Sequence, residues 1–320
     1  MSRARSPSVG ATCTSVGAMW QPEPGWLALP GSSSASTVGV WRTVLGDQPV
    51  VVKRLAAPLE HDPAELSNPR HFAYWRRAAD VVTSGLVVAT PGVRAPRLAA
   101  VDEDIEGITI TEEWVEDAAT SGLFVAHALG RFAGARLSPT PWLARNQLRD
   151  RMVRVEHRGG WRTLARTTVA DVATQLWERR SELLAAADAL VQVPMHGDAV
   201  PANLPGREDD DVVAIDWSTL GTGPVGADLG YYALAAREDL EPLLDAYLMG
   251  LPDGLATRDE VTLGARVTAV YTVLNRAEWA LARVAGGEGA LAGKFRHPSV
   301  APHLRALQRQ FAHIEALVEG

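Results

Sequence analysis

The chain has a single cysteine, Cys13, among its 320 residues. An internal disulfide framework and a cysteine-rich zinc site are therefore excluded. No apolar run approaches the roughly eighteen residues that a membrane-spanning helix needs, so no membrane partner is expected. Met1 to Trp20 carries two arginines but no continuous apolar stretch, which makes it a poor secretory signal. Rich in Ser, Gly, Thr and Ala, residues 1–20 read as a loosely ordered lead-in, and the cytoplasm is the expected location. Positive charge is also in short supply: 31 Lys and Arg face 38 Asp and Glu, a net charge of −7. No nucleic-acid partner is expected of such a surface. None of the eight histidines falls in HExxH or another metal-binding spacing. The glycine-rich stretch Gly221 to Gly230, GTGPVGADLG, lacks the GK[ST] ending of a P-loop. No internal repeat of a solenoid or propeller is present.

What remains is an ordinary globular balance, 47% hydrophobic and 22% charged. The length allows one large or two smaller domains with a sizeable core. The most informative stretch runs from Pro194 to Gly230. His196-Gly197-Asp198 is followed by Asn203, five positions after Asp198, and the apolar run Val212-Val213-Ala214-Ile215 ends at Asp216, eighteen positions after Asp198. Singly, each piece is unremarkable, since an Asp in such a turn is most often a turn former. Together they suit phosphoryl transfer, which needs a carboxylate near the attacking oxygen and oxygen ligands for Mg²⁺. Asp198 can orient and deprotonate an acceptor hydroxyl, and Asn203 and Asp216 can hold the metal. Leu204 to Asp216 reads as two short strands around the polar turn Arg207 to Asp211. That hairpin returns Asp216 to the neighbourhood of Asn203.

Upstream, Gly31 to Thr37 is a run of small and hydroxyl residues ahead of two β-rich stretches, Val38 to Leu45 and Pro49 to Leu55. The pattern predicts a loop and a β-hairpin. Small residues before a strand let backbone N–H groups approach phosphates closely, so Ser33, Ser34, Ser36 and Thr37 are candidate nucleotide contacts. Lys53 ends the run Val50-Val51-Val52 beneath that loop, where it can pair with phosphates. Pro69 to Val82 reads as a helix with an aromatic face at Phe72 and Trp75. Arg97 to Val101 and Gly107 to Thr111 read as strands, followed by Glu112-Glu113-Trp114-Val115-Glu116-Asp117.

HGDAVPAN followed by VVAIDW resembles the catalytic loop and metal-binding motif of the aminoglycoside phosphotransferase and choline kinase-like family, whose members share the protein-kinase fold. The resemblance implies an α+β, two-lobed fold, with a small antiparallel-sheet N-lobe over residues 21–116 and a larger, mostly helical C-lobe over residues 117–320. It implies Mg²⁺ as cofactor and ATP or GTP as co-substrate. Asp198 is then the catalytic base, Asn203 and Asp216 are metal ligands, and Lys53 contacts the α- and β-phosphates. The backbone of the linker, at Glu113 and Val115, is implied to bind the adenine. Asp228, in the DLG that follows the metal motif, is implied to anchor the loop or contact substrate, with the structural role favoured, and His196 reads as a support for the loop. One position departs from the family pattern. This chain reads YWRRAAD, with Ala78 where relatives carry the Glu that pairs with the lysine.

Ala118 to Gly134 is apolar at helical spacing, and Trp142 to Val155, Asp171 to Leu190, Leu234 to Gly250, Arg258 to Ala285 and Pro302 to Val318 also read as helices. Asp171 is a candidate cap. The acids Glu238, Glu241, Asp245 and Glu278 either form a solvated face, the commoner case, or line a pocket for a cationic acceptor. The expected activity is transfer of a γ-phosphate to a hydroxyl of a small molecule. The alternatives are a nucleotide-binding pseudokinase or scaffold, motivated by Ala78, and a kinase acting on a peptide Ser or Thr. A metallophosphatase is disfavoured, because the Asp and His clusters of a two-metal site are missing.

Overall fold

The structure is a computed structural model and describes residues 20–30, 36–285 and 297–319. Ser33 and Ser34 therefore lie outside the described residues, as does nearly all of the N-terminal lead-in.

Five antiparallel strands form the first lobe: β1 (Leu27–Ala28), β2 (Thr37–Leu45), β3 (Gln48–Ala56), β5 (Leu98–Asp104) and β6 (Gly107–Glu113), in the spatial order β1-β2-β3-β6-β5. The hairpin of β2 and β3 closes at Leu45 opposite Gln48. The central strands β3 and β6 supply Leu55, Ile108 and Ile110, which pack against Ala78, Ala79 and Val82. Those last three belong to α1 (Arg77–Ser84). This helix is shorter than the periodicity over Pro69 to Val82 predicts. The physical reason is Arg77, whose guanidinium donates to the carbonyls of Pro69, His71 and Phe72. Carbonyls that would have received helical N–H groups are taken by one side chain, and the chain turns irregularly until residue 77.

After β6 the chain crosses a linker to α2 (Gly122–Ala133), whose first turn is capped by the Ser121 side chain accepting from the Phe124 N–H. In the second lobe α2 packs on α7 (Leu240–Gly250). The two backbones approach so closely that a Cβ on Gly130 would meet the Tyr247 carbonyl oxygen at 2.1 Å. The spine of this lobe is α8 (Arg258–Ala285), 28 residues long. Around it lie α3 (Gln147–His157), α4 (Ala170–Glu178), α5 (Arg180–Asp188), α6 (Ala227–Ala233), α9 (Ala301–Arg309) and α10 (Phe311–Glu319). The single helices expected over Asp171 to Leu190 and Pro302 to Val318 are each broken in two, at Arg179 and at Gln310. Arg179 sits at its break because its guanidinium reaches the last carbonyls of α10, Leu317 and Val318. Asp171 lies in the first turn of α4, which has no side-chain cap.

Two small sheets frame the junction of the lobes. β7 (Gln192–Met195) pairs with β10 (Gly221–Pro224). β4 (Val93–Arg94), β9 (Asp211–Val213) and β8 (Gly206–Glu208) form the other, in the order β4-β9-β8. Among the described residues no helix is long and apolar enough to cross a membrane.

Candidate active site

The loop after β7 is held by backbone-to-carboxylate bonds. Asp228, buried at the start of α6, accepts from the His196 N–H at 2.6 Å and from the Gly197 N–H at 3.0 Å. Burial pushes the Asp228 carboxyl up, and although the two N–H groups pull it down, the net shift is upward. Gly197 has φ +81°, and a Cβ there would meet the Thr219 carbonyl oxygen at 2.6 Å; no other residue type fits without moving the loop. His196 is fully buried against Trp217. Its Nε2–H donates to the Ile215 carbonyl at 2.9 Å, and its Nδ1 accepts from the Asp198 N–H at 3.3 Å. One neutral tautomer satisfies both bonds. The ring thereby ties the loop after β7 to the segment that carries Asp216.

Asp198 and Asn203 meet directly. The Asn203 Nδ2 donates to the Asp198 carbonyl at 2.9 Å and to its carboxylate at 3.0 Å. The Ile215 N–H donates to the Asn203 carbonyl at 2.9 Å, so Asp216 is one residue from that contact. The expected hairpin is present, with Glu208 opposite Asp211. Asp216 sits at φ +59°, ψ +60°, an uncommon conformation for a residue with a side chain. Its Oδ1 pairs with the Lys53 ammonium at 2.5 Å across the two lobes. Burial pushes the Asp216 carboxyl up, but Lys53, joined by the Ser218 side chain, outweighs it and holds the group below its ordinary value.

The lysine thus has an acidic partner, but α1 does not supply it. Asp80 pairs with Arg76, and Glu65 pairs with Arg154. Sequence reasoning missed two groups here. Glu112, on β6, carries a buried Oε1 with no hydrogen-bond partner among the described residues. Burial pushes its carboxyl up to about 7, with Lys53 pulling down and Asp216 pushing up. Arg77, fully buried, donates to the Ser218 carbonyl at 3.1 Å, just beyond Asp216, and to the Trp142 carbonyl at 2.7 Å. Neither shows in the sequence, because a Glu in a strand and an Arg in a helix are ordinarily solvated.

In the linker, the Glu113 N–H is already bonded to the Arg97 carbonyl, whereas the Val115 N–H has no protein acceptor among the described residues. Ser36 gives its carbonyl to the Ala56 N–H, and Thr37 pairs with Leu55 at the start of β2. The four acids named for a cationic acceptor pocket are engaged elsewhere. Glu238 accepts from the Gly122 N–H, Glu241 and Asp245 pair with Arg258, and Glu278 accepts from the N–H groups of Thr163 and Leu164.

A sheet-rich lobe, a helical lobe and this loop between them define the two-lobed kinase-like fold, and with it the phosphotransferase class. The chain belongs to the phosphotransferase enzyme family, whose model matches residues 28–261. No sequence among the curated proteins matches it. Solved structures of similar fold include a choline/ethanolamine kinase family protein from Mesorhizobium loti, at 17% identity and TM-score 0.53, covering 91% of this chain and 92% of that one. A thermostable mutant of aminoglycoside phosphotransferase APH(4)-Ia, in ternary complex with AMP-PNP and hygromycin B, is 14% identical at TM-score 0.54, covering 92% and 94%. Choline kinase LicA from Streptococcus pneumoniae is 11% identical at TM-score 0.53, covering 88% and 95%. At these identities the likeness establishes the fold.

Proposed function

We propose that the protein is a cytoplasmic small-molecule kinase that moves the γ-phosphoryl group of ATP or GTP to a hydroxyl. The observation that carries this reading is the run of contacts that joins Asp198 to Asn203, Asn203 to Ile215 and Asp216 to Lys53 of the other lobe. The donors present fit Mg²⁺. They are a carboxylate at Asp216 and an amide oxygen at Asn203, whose Nδ2 is used on Asp198 and whose Oδ1 takes no hydrogen bond among the described residues. Both are hard oxygen ligands of the kind that Mg²⁺ prefers. Bound there, the ion would neutralise phosphate charge.

The chain's own residues do the rest. Asp198, fixed by Asn203 and by its own N–H on His196, orients the acceptor hydroxyl and takes its proton as the oxygen attacks. Lys53, released from Asp216 by the competing negative charge of a triphosphate, fixes the phosphates, with the backbone near Ser36 and Thr37 on the other side. The free Val115 N–H and the Glu113 carbonyl serve a purine edge. His196 and Asp228 act through the loop they hold. Positioning and electrostatics of this kind are the larger part of phosphoryl-transfer catalysis.

The test is nucleoside diphosphate release by the purified chain with Mg²⁺ and ATP or GTP, across a panel of hydroxyl acceptors. Acceptor-stimulated release should fall by about 10²–10⁴-fold in Asp198→Ala, with unchanged melting behaviour. Full activity in that variant would remove Asp198 from the mechanism. Tight nucleotide binding with no Asp198-dependent turnover would favour a sensor or scaffold.

A further inference from the structure

Beside the catalytic loop, the second lobe opens a cleft of about 400 Å³ whose lining contains four arginines, Arg151, Arg154, Arg158 and Arg276, and no Asp or Glu. A smaller cavity lined by Gly197 of the loop shares Arg151, Tyr231 and Thr272 with this cleft. Arg151 makes the link physical, because its Nη2 donates to the Gly197 carbonyl at 3.1 Å. The Asp198 charge acts on the same guanidinium.

The charge in this cleft is only partly offset among the described residues, with Asp198 and Asp228 acting on Arg151. Only Arg154 has a carboxylate partner, Glu65 at 2.6 Å. Arg158 donates to the Arg154 carbonyl, and Arg276 lies over the Tyr231 ring at 4.6 Å. Arg151 lies between the Phe72 and Tyr231 rings. Trp279, 46% exposed, completes an aromatic wall. Arg158 and Arg276 have no carboxylate partner among the described residues; guanidiniums gathered with few counter-charges repel one another, and a fold keeps such a cost where a ligand relieves it. Their planar forks match carboxylate and phosphate oxygens, while the ring faces take a flat or apolar body. A polyamine or quaternary ammonium acceptor would meet repulsion here.

We infer that this cleft is the acceptor site and that the acceptor is a small hydroxyl compound carrying a carboxylate or phosphate group. The inference rests on the kinase reading above and specifies its substrate class. The anionic group is held by Arg276 and Arg158 at the outer end, and the hydroxyl is directed past Arg151 towards Asp198. The acceptor oxygen forms the new bond to the γ-phosphorus, the bond to the β-phosphate oxygen breaks, the nucleoside diphosphate leaves, and Asp198 takes the hydroxyl proton.

The experiment uses the full chain with Mg²⁺ and ATP or GTP against hydroxyl compounds in matched triplets of anionic, neutral and cationic form. Examples are glucuronate, glucose and glucosamine, or para-(hydroxymethyl)benzoate, benzyl alcohol and para-(hydroxymethyl)benzylamine. Anionic members should stimulate diphosphate release above their partners. In Arg276→Gln and Arg158→Gln the KM for them should rise about tenfold, equivalent to about 1.4 kcal/mol, with nucleotide affinity and melting temperature unchanged. Turnover that prefers cationic or neutral members, or that ignores both substitutions, overturns the inference while leaving the kinase reading intact. If no member is turned over, calorimetry on the nucleotide-saturated protein decides. Binding of anionic members that weakens in the two variants upholds the inference, and absence of anionic binding overturns it. Failure to bind Mg-nucleotide at all is the separate result that removes the kinase reading.

Discussion

The two walls of the candidate site, one from each lobe, are held by different means. On the loop wall, His196, Gly197, Asp198 and Asn203 are tied together by short bonds within one stretch of sequence, closed by Asp228. On the lysine wall, Lys53 bonds Asp216, 163 positions away in the chain. The helix beneath contributes Arg77, which spends its five hydrogen bonds on main-chain carbonyls of three separate segments, Pro69 to Phe72, Trp142 and Ser218. A helix acid usually orients the lysine in this fold. Here α1 acts on the other partner, by holding the segment next to Asp216. The comparison teaches that one half of a candidate site can be kept by a local network and the other half by a long-range clamp.

The strongest way to break this contrast is to cut the clamp. Arg77→Met keeps the aliphatic length but orphans buried carbonyls, and should cost about 3–5 kcal/mol in chemical unfolding. If the variant melts like the parent, the lysine wall is held by something other than Arg77. The matching cut on the loop wall is Asp228→Asn, which trades one acceptor oxygen for an N–H₂ facing an N–H donor. It should cost about 1–3 kcal/mol and lower turnover with little change in nucleotide affinity. An equal loss of nucleotide affinity would show that the two walls are not separable.

The smallest expected effect sharpens the picture by pH. Burial raises the Glu112 carboxyl to about 7 from its ordinary 4.5, so the folded chain holds that proton more tightly than the unfolded chain. The resulting stabilisation is complete below 4.5 and is lost as pH rises through about 7. Glu112→Gln should therefore gain about 1–2 kcal/mol over the parent at pH 8 relative to pH 4 in the nucleotide-free protein. Parallel stability curves for the two proteins across that range would mean that Glu112 is solvated or paired.

Much of this was legible in the chain itself. The β2–β3 hairpin, the strands β5 and β6, the 28 residues of α8 and the hairpin between Asn203 and Asp216 all follow from local pattern. The fold class followed from the HGDAVPAN and VVAIDW motifs. These signals are readable because they depend on residues close in sequence, where periodicity and turn chemistry act directly. The start of α1 was not readable, because a guanidinium folded back from position 77 outcompeted helix bonds that propensity favoured. The acceptor-side acids were misleading for a similar reason. Glu238 and Glu278 look like surface carboxylates in a helix pattern, yet each satisfies N–H groups more than a hundred residues away. The partner of Lys53 and the gathering of Arg151, Arg158 and Arg276 into one cleft depend on how α3, α8 and the two lobes come together. No local rule encodes that meeting, since it is set by which buried polar groups find partners once the core has closed.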